Sequence, residues 1–282
     1  MKYGLVMEGG AMRGMFTAGV TDVLMENNIE FDGAIGVSAG ATFGCNFKSK
    51  QPGRAIRYCK RFADDKRFCS VTSLIKTGDM FGVDFCYHEI PQKLDAFDYK
   101  TYRENKMPFY MVMTDIKTGK PVYVNVRNCD GENIKYMQAS ASMPLASQPV
   151  KIKGNEYLDG GVTDSIPLRF MEREGYGKNV VVLTQPKGYK KAPSKLMKVI
   201  SLYFHKYPNL VKAMKRRHLM YNNETKYVSH REKEGRAFVI QPKEKLPTGR
   251  VEHDPALLEA AYNEGRRAAE ERLEALKKFI GK

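Results

Sequence analysis

Two hydrophobic periods alternate along the first forty residues. Tyr3–Met7 is a short apolar run of the buried-strand kind, and Gly9–Gly14 is a glycine-rich turn. From Met15 to about Met25, Phe16, Val20, Val23 and Leu24 keep helical spacing until Asn27-Asn28 stops it. Phe31–Val37 is a second apolar run, which turns at Ser38 into the helix-like stretch Ala39–Phe47. Two parallel strands joined by a crossover helix make a βαβ unit, so the pattern predicts an α/β sheet.

Later runs extend that sheet. Phe109–Met113 and Pro121–Val126 read as strands paired across the Lys117–Lys120 turn. Asn155–Leu158 is a further short strand, Val180–Thr184 a buried one, and Ala237–Gln241 the last. Near the carboxyl end Asp254 stands as N-cap with Pro255 at the first helical position. Leu258, Ala261, Tyr262, Ala268, Ala269, Leu273, Leu276 and Ile280 then line one inner face, predicting a single helix. Residues 54–107 mix helix-like pieces, Arg54–Phe62 and Tyr87–Leu94, with loop signals. They mark no boundary, so one domain over 1–282 is expected.

Composition narrows the class. The chain has 282 residues, 42% hydrophobic and 28% charged, as a globular domain with a full core does. No stretch approaches the length of a membrane span, and residues before Tyr3 leave no room for a signal peptide, so a cytoplasmic location is expected. The five cysteines form no C-x-x-C pair, which predicts reduced thiols and neither a disulfide framework nor a zinc site.

The charge is less ordinary. The formal net is +15, and ten Lys and Arg with no Asp or Glu fall between Lys187 and Asn223. Such a field favours polyanionic partners. Apolar residues recur at helical spacing in this stretch: Leu196, Val199, Ile200 and Tyr203, then Leu210, Val211 and Met214. Two helices packing on the body are therefore expected, with their cations turned to an anionic membrane surface. No DNA- or RNA-binding motif accompanies the charge, so nucleic acid is the weaker partner.

Three short motifs carry chemistry. Gly36-Val37-Ser38-Ala39-Gly40 fits G-x-S-x-G and stands between a strand and a helix, where a sharp turn projects a serine hydroxyl clear of the sheet. Gly9-Gly10-Ala11-Met12-Arg13-Gly14 closes the preceding strand. Its backbone N–H groups suit an anion, either a phosphate or the oxyanion of acyl transfer. It lacks the Gly-Lys-Ser/Thr ending of a P-loop, and a nucleophile candidate closes the next strand, so the oxyanion is favoured. Asp159-Gly160-Gly161 follows a strand and supplies a carboxylate that burial could make basic. The five histidines sit in polar or basic surroundings, none in a glycine-flanked turn.

In this order the three motifs resemble the patatin-like phospholipase family. Gln138–Pro144 is similar to that family's A-S-x-A-x-P segment, and Ser165-Ile166-Pro167 occupies the place of its N-x-P. The resemblance spans roughly residues 3–185. It implies a three-layer α/β/α fold with a mainly parallel central sheet and a Ser–Asp dyad without histidine. It also implies hydrolysis or transfer of acyl groups from lipids, without metal or cofactor. Ser38 is then the nucleophile and Asp159 the base, with the Gly9–Gly14 loop and Ala39 as oxyanion hole; Gly36, Gly40, Gly160 and Gly161 support the turns. The basic helical segment 187–230 and the strand plus helix over 237–280 follow this core. Peripheral contact with the inner face of a membrane joins the cytoplasmic location. Two alternatives remain: an α/β-hydrolase with a Ser-Asp-His triad, and a basic nucleic-acid-binding protein.

Overall fold

The computed structural model describes residues 1–282. Eight strands form one sheet: β1 (Lys2–Met7), β2 (Gly33–Val37), β3 (Phe109–Asp115), β4 (Lys120–Asn125), β5 (Val150–Ile152), β6 (Asn155–Asp159), β7 (Tyr176–Val182) and β8 (Ala237–Ile240). The run β3-β2-β1-β7-β8 is parallel throughout. β4 and β6 pair antiparallel with β3, and β5 with β6. The sheet is thus parallel at its centre and antiparallel at one edge.

Register at that edge positions the chemistry. Val37, the last residue of β2, lies opposite Val112, whereas Asp159, the last of β6, lies opposite the next residue, Met113. β4 occupies the other side of β3, opposite both residues. Strands β2 and β6 therefore share one side of β3, running toward each other and ending at adjacent positions.

Helices are α1 (Met15–Glu26), α2 (Ala39–Lys48), α3 (Arg54–Arg61), α4 (Val71–Thr77), α5 (Tyr99–Glu104), α6 (Ile134–Ala141), α7 (Leu168–Arg173), α8 (Met197–Tyr203), α9 (Pro208–Lys233), α10 (Pro255–Glu270) and α11 (Leu273–Ile280). A wider helical stretch, Phe85–Leu94, contains Pro91. Strand side chains alternate between faces, as a pleated strand requires. Leu5 and Met7 join Phe16 of α1, Ala41 of α2 and Leu276 of α11. Val6, Ile35 and Val181 meet Phe170 of α7 and Tyr221 and Val228 of α9. Both sheet faces are covered, which gives the expected three-layer α/β/α architecture.

Two expectations about helices change. The carboxyl-terminal helix breaks at Glu271–Arg272, where the Arg272 guanidinium turns inward to the Val239 carbonyl and lies over the Phe238 ring. The residues named for its inner face still face inward on both halves, Leu273 only partly. In the basic segment only the second helix packs as expected. On α8 Ile200 is buried, but Val199, Leu202 and Tyr203 are 52%, 77% and 56% exposed, as is Leu196 just before it at 56%. No helix is long and apolar enough to cross a membrane.

Candidate active site

Ser38 sits at the turn from β2 into α2 with φ 54° and ψ −119°, a left-handed backbone that a non-glycine residue holds only under constraint. Its surroundings supply that constraint. A side chain at Gly40 would strike the Met7 carbonyl, so only glycine lets α2 start this close to β1. The Ser38 N–H donates to the Ser140 hydroxyl of α6 at 3.0 Å. That bond gives the Gln138–Pro144 segment a structural role. Its other serine completes the job: the Ser142 carbonyl accepts the Asp159 N–H at 2.7 Å.

Asp159 is buried, and its carboxyl meets the Ser38 hydroxyl. Burial pushes its carboxyl above the ordinary carboxylate range. The Ser38 hydroxyl, the nearby Arg217 and Arg250 guanidinium groups and the Gly161 N–H, which donates to Oδ1 at 2.7 Å, pull it back. Gly160 passes so close to the Val112 carbonyl that a side chain would collide with it. Ser165 donates its hydroxyl to the Gly161 carbonyl at 2.9 Å, so serine in place of the family's asparagine still ties down this turn.

The glycine loop divides into spent and free donors. The Gly9 and Gly10 N–H groups donate to no protein atom, and the first turn of α2 leaves the Ala39 N–H without an intrahelical acceptor. The Met12 N–H donates to the Arg250 carbonyl and the Arg13 N–H to the Gly10 carbonyl, both at 3.3 Å, so these two donors of the loop are engaged. Gly14 instead lets the loop lie against Ala39 and Phe43, where a side chain would clash. Ala11 takes φ 50°, a backbone that suits glycine.

Glu8, immediately before the loop, was not singled out by its sequence context. It is buried and accepts from the Thr184 N–H at 2.6 Å and the Tyr221 hydroxyl at 2.7 Å. Arg217 was expected at the surface among the basic residues of α9. Its Nε instead donates to the Gly161 carbonyl at 2.6 Å. A signal was present: Leu210, Met214, Arg217, Tyr221, Glu224 and Val228 recur at helical intervals, and the two charged members of that inward stripe both serve the Asp159 turn. Glu224 accepts the Ser165 and Ile166 N–H groups at 3.2 Å each.

A cavity opens at Ser38. Nineteen of its 27 lining residues are hydrophobic, including Met12, Phe43, Phe81, Ile134, Met137 and Met143. Cys45, Cys86 and Cys129 also line it, and burial pushes the Cys45 thiol up to about 12, far from a reactive thiolate. No histidine lines the cavity. His205 and His253 contact the backbone carbonyls of Leu202 and Ala63, and His230 faces Glu234. The triad alternative therefore has no base at hand.

Sheet order, the elbow at Ser38 and the glycine turn at Asp159 define a three-layer α/β/α protein of the patatin type. Residues 5–171 match the family described as patatin-like phospholipase, more than half of the chain, and the protein belongs to that family. Residues 207–281 match a second family, described as a domain of unknown function. The uncharacterized protein YjjU of Escherichia coli is 30% identical over 188 residues, covering 64% of this chain and 52% of YjjU. Lysophospholipase nte1 of Aspergillus oryzae is 27% identical over 188 residues, covering 63% of this chain and 11% of that protein. The chain thus spans about half the length of one relative and about a tenth of the other. Among solved structures, VipD from Legionella pneumophila aligns with a TM-score of 0.47 at 14% identity, covering 97% of this chain and 67% of that one.

Proposed function

We propose that this protein is a serine acyl hydrolase that cleaves carboxylic esters of lipids, with Ser38 as nucleophile and Asp159 as its base. The observation that carries the reading is the buried Asp159 carboxyl beside the hydroxyl of Ser38, which itself lines an apolar cavity. Membership of the patatin-like phospholipase family and the lysophospholipase relatives support the substrate class.

In this reading Asp159 takes the Ser38 proton as Oγ bonds to the ester carbonyl carbon. The oxyanion receives N–H groups from Gly9, Gly10 and Ala39, donors already oriented before the reaction. Collapse breaks the ester C–O bond, and Asp159 returns the proton to the departing alcohol. Water then attacks the acyl-serine, again with Asp159 as base; the bond from the acyl carbon to Oγ breaks, the carboxylic acid leaves, and Asp159 returns the proton to Ser38. Cavity walls such as Phe43, Ile134 and Met137 receive the acyl chain.

Access to a bilayer is part of the proposal. Exposed Leu196, Val199, Leu202 and Tyr203 stand among exposed Lys195, Lys198 and Lys206. This face packs through Ile200 near Leu145, whose neighbours Met143 and Ser147 line the cavity. An apolar tip ringed by lysines beside the cavity suits peripheral docking on an anionic leaflet. A cytoplasmic location would bring it to the inner membrane face.

A fluorophosphonate probe, with the adduct mapped by mass spectrometry, tests the chemistry. It should label Ser38 alone, and Ser38→Ala should lose both labelling and ester turnover. Labelling at Ser140 or Ser142 would overturn the assignment.

A further inference from the structure

Four cationic side chains converge on the Asp159 side of the site from separate parts of the chain: Arg13 from the glycine loop, Lys191 from the segment after β7, Arg217 from α9 and Arg250 from the segment before α10. None forms an ion pair with a carboxylate, in a molecule where many surface cations do. The Arg13 Nε is buried with no acceptor at all. Glu8 is the nearest carboxylate on the loop, and both its oxygens are already occupied by Thr184 and Tyr221.

The cations are held in place. Arg217 is anchored through Nε to the Gly161 carbonyl, which sets its guanidinium beside Asp159. Lys191 is fixed by reciprocal bonds of its backbone with the Asn222 amide at 2.8 and 3.0 Å, and its Nζ lies 4.2 Å above the Tyr221 ring. The Arg250 backbone carbonyl accepts the Met12 N–H, tying that segment to the glycine loop. The four like charges outnumber the two buried carboxylates that face them, Glu8 and Asp159, and the excess repulsion is relieved when an anion fills the set.

None of the four lines the apolar cavity. Two environments therefore meet at Ser38 and Asp159: an apolar cavity on one side and a cluster of unpaired cations on the other. A ligand matching both is an amphiphile whose ester lies between an acyl chain and an anionic head. A phosphate monoester carries close to two negative charges at neutral pH and three acceptor oxygens for guanidinium and ammonium donors. A choline head would bring a fifth cation to this cluster, and the Tyr221 face that could receive it is already covered by Lys191.

We propose that Arg13, Lys191, Arg217 and Arg250 form an anion subsite for the phosphate-monoester head of an acylglycerol phosphate, which sets the substrate class of this hydrolase. The inference rests on the acyl-hydrolase reading of Ser38 and Asp159. Lys191 adds a pH signature. Burial first, then the charges of Arg217, Arg250 and Arg13, bring its ammonium down to about 8, against the opposing pull of Glu8; the Tyr189 and Tyr221 rings face it from the remaining side. Preference for the phosphate lipid should rise as the phosphate loses its second proton near about pH 6 and fall again as Lys191 deprotonates.

The test compares kcat/KM for a monoacylglycerol phosphate and the lysophosphatidylcholine of the same chain, both below micelle formation. The wild type should favour the phosphate lipid at least tenfold, and Lys191→Gln with Arg250→Gln should cut that ratio at least tenfold, chiefly through KM. The α8 set Lys195, Lys198 and Lys206→Gln should preserve the ratio; an equal loss in both sets would assign the effect to the general field and overturn the subsite. Lys191→Gln alone should abolish the alkaline fall in preference. Equal use of both lipids by the wild type would also overturn it.

Binding to Ser38→Ala separates the subsite from the chemistry. That protein should bind the phosphate lipid at least tenfold more tightly than lysophosphatidylcholine, whether or not the wild type turns either over. Failure of labelling and turnover with this binding intact would sink the hydrolase reading and keep the subsite. Inorganic phosphate binding as tightly as the lipid would assign the subsite to free phosphate and overturn the headgroup assignment.

Discussion

Ser38 and Asp159 close two strands that run toward each other along one side of β3, ending opposite its successive residues Val112 and Met113. A parallel strand delivers the serine and an antiparallel strand delivers the carboxylate. The placement of this pair is thus set by hydrogen-bond register across one strand, a more rigid arrangement than two loops would give.

Acid should switch the enzyme off at a pH above the ordinary carboxylate range. Asp159 acts as a base only when deprotonated, and burial raises its affinity for the proton while Arg217 lowers it. Activity is therefore present above the raised pKa and lost as pH falls through it. Arg217→Gln should move this acid limb to higher pH in a kcat/KM profile; an unmoved limb would remove Arg217 from the account. Asp159→Asn should lower kcat by about 10²–10⁴-fold. Because it removes a buried charge, its melting temperature should not fall.

Ala11→Gly should stabilise the fold. An L-residue with φ 50° carries a penalty of about 1–2 kcal/mol that glycine escapes, offset in part by the unfolded-state entropy of glycine. A gain of up to about 1 kcal/mol is expected in denaturant unfolding, with labelling of Ser38 retained. A loss of stability would mean that the methyl group packs well enough to outweigh the backbone strain.

Ser140→Ala should loosen the elbow without touching the reacting atoms. The Ser38 N–H is left buried and unpaired, which costs about 1–3 kcal/mol. Both the unfolding midpoint and kcat should drop, and Ser140→Thr should recover part of each by restoring the hydroxyl.

Leu202→Ser with Val199→Ser should weaken binding to anionic vesicles several-fold in a sedimentation assay. Both side chains are more than half exposed, so the melting temperature should hold or rise. Retention of the protein on an RNA column that depends on Lys195, Lys198 and Lys206, with no vesicle binding, would favour the nucleic-acid alternative.

Much of this was legible from residue spacing. Period-two and period-3.6 runs located β1, α1, β2 and α2 because each buries a continuous apolar face. The glycine turns at Gly9, Gly36 and Gly160 stood out because close backbone approach excludes other residues. Lys191, Arg217 and Arg250 lacked a comparable local mark: a cation beside the site and one in solvent have the same letter. Only the inward stripe of α9 separates Arg217 from Lys212, Lys215 and Arg216, which are exposed. The exposure of α8 was hidden for the converse reason, since helical spacing of Leu196, Val199 and Tyr203 reads as a buried stripe.

The bond from Arg217 to Gly161 crosses from the second matched region into the first. Glu224 makes the same crossing to Ser165 and Ile166, and the Arg250 carbonyl makes another to Met12. The carboxyl-terminal third is therefore no detachable appendage. A fragment ending near Thr184 would lose β8 from the sheet edge together with the clamps on the Asp159 turn and the glycine loop. Swapping this region between relatives should fail unless these contacts travel with it, so the two halves are expected to be inherited as a matched pair.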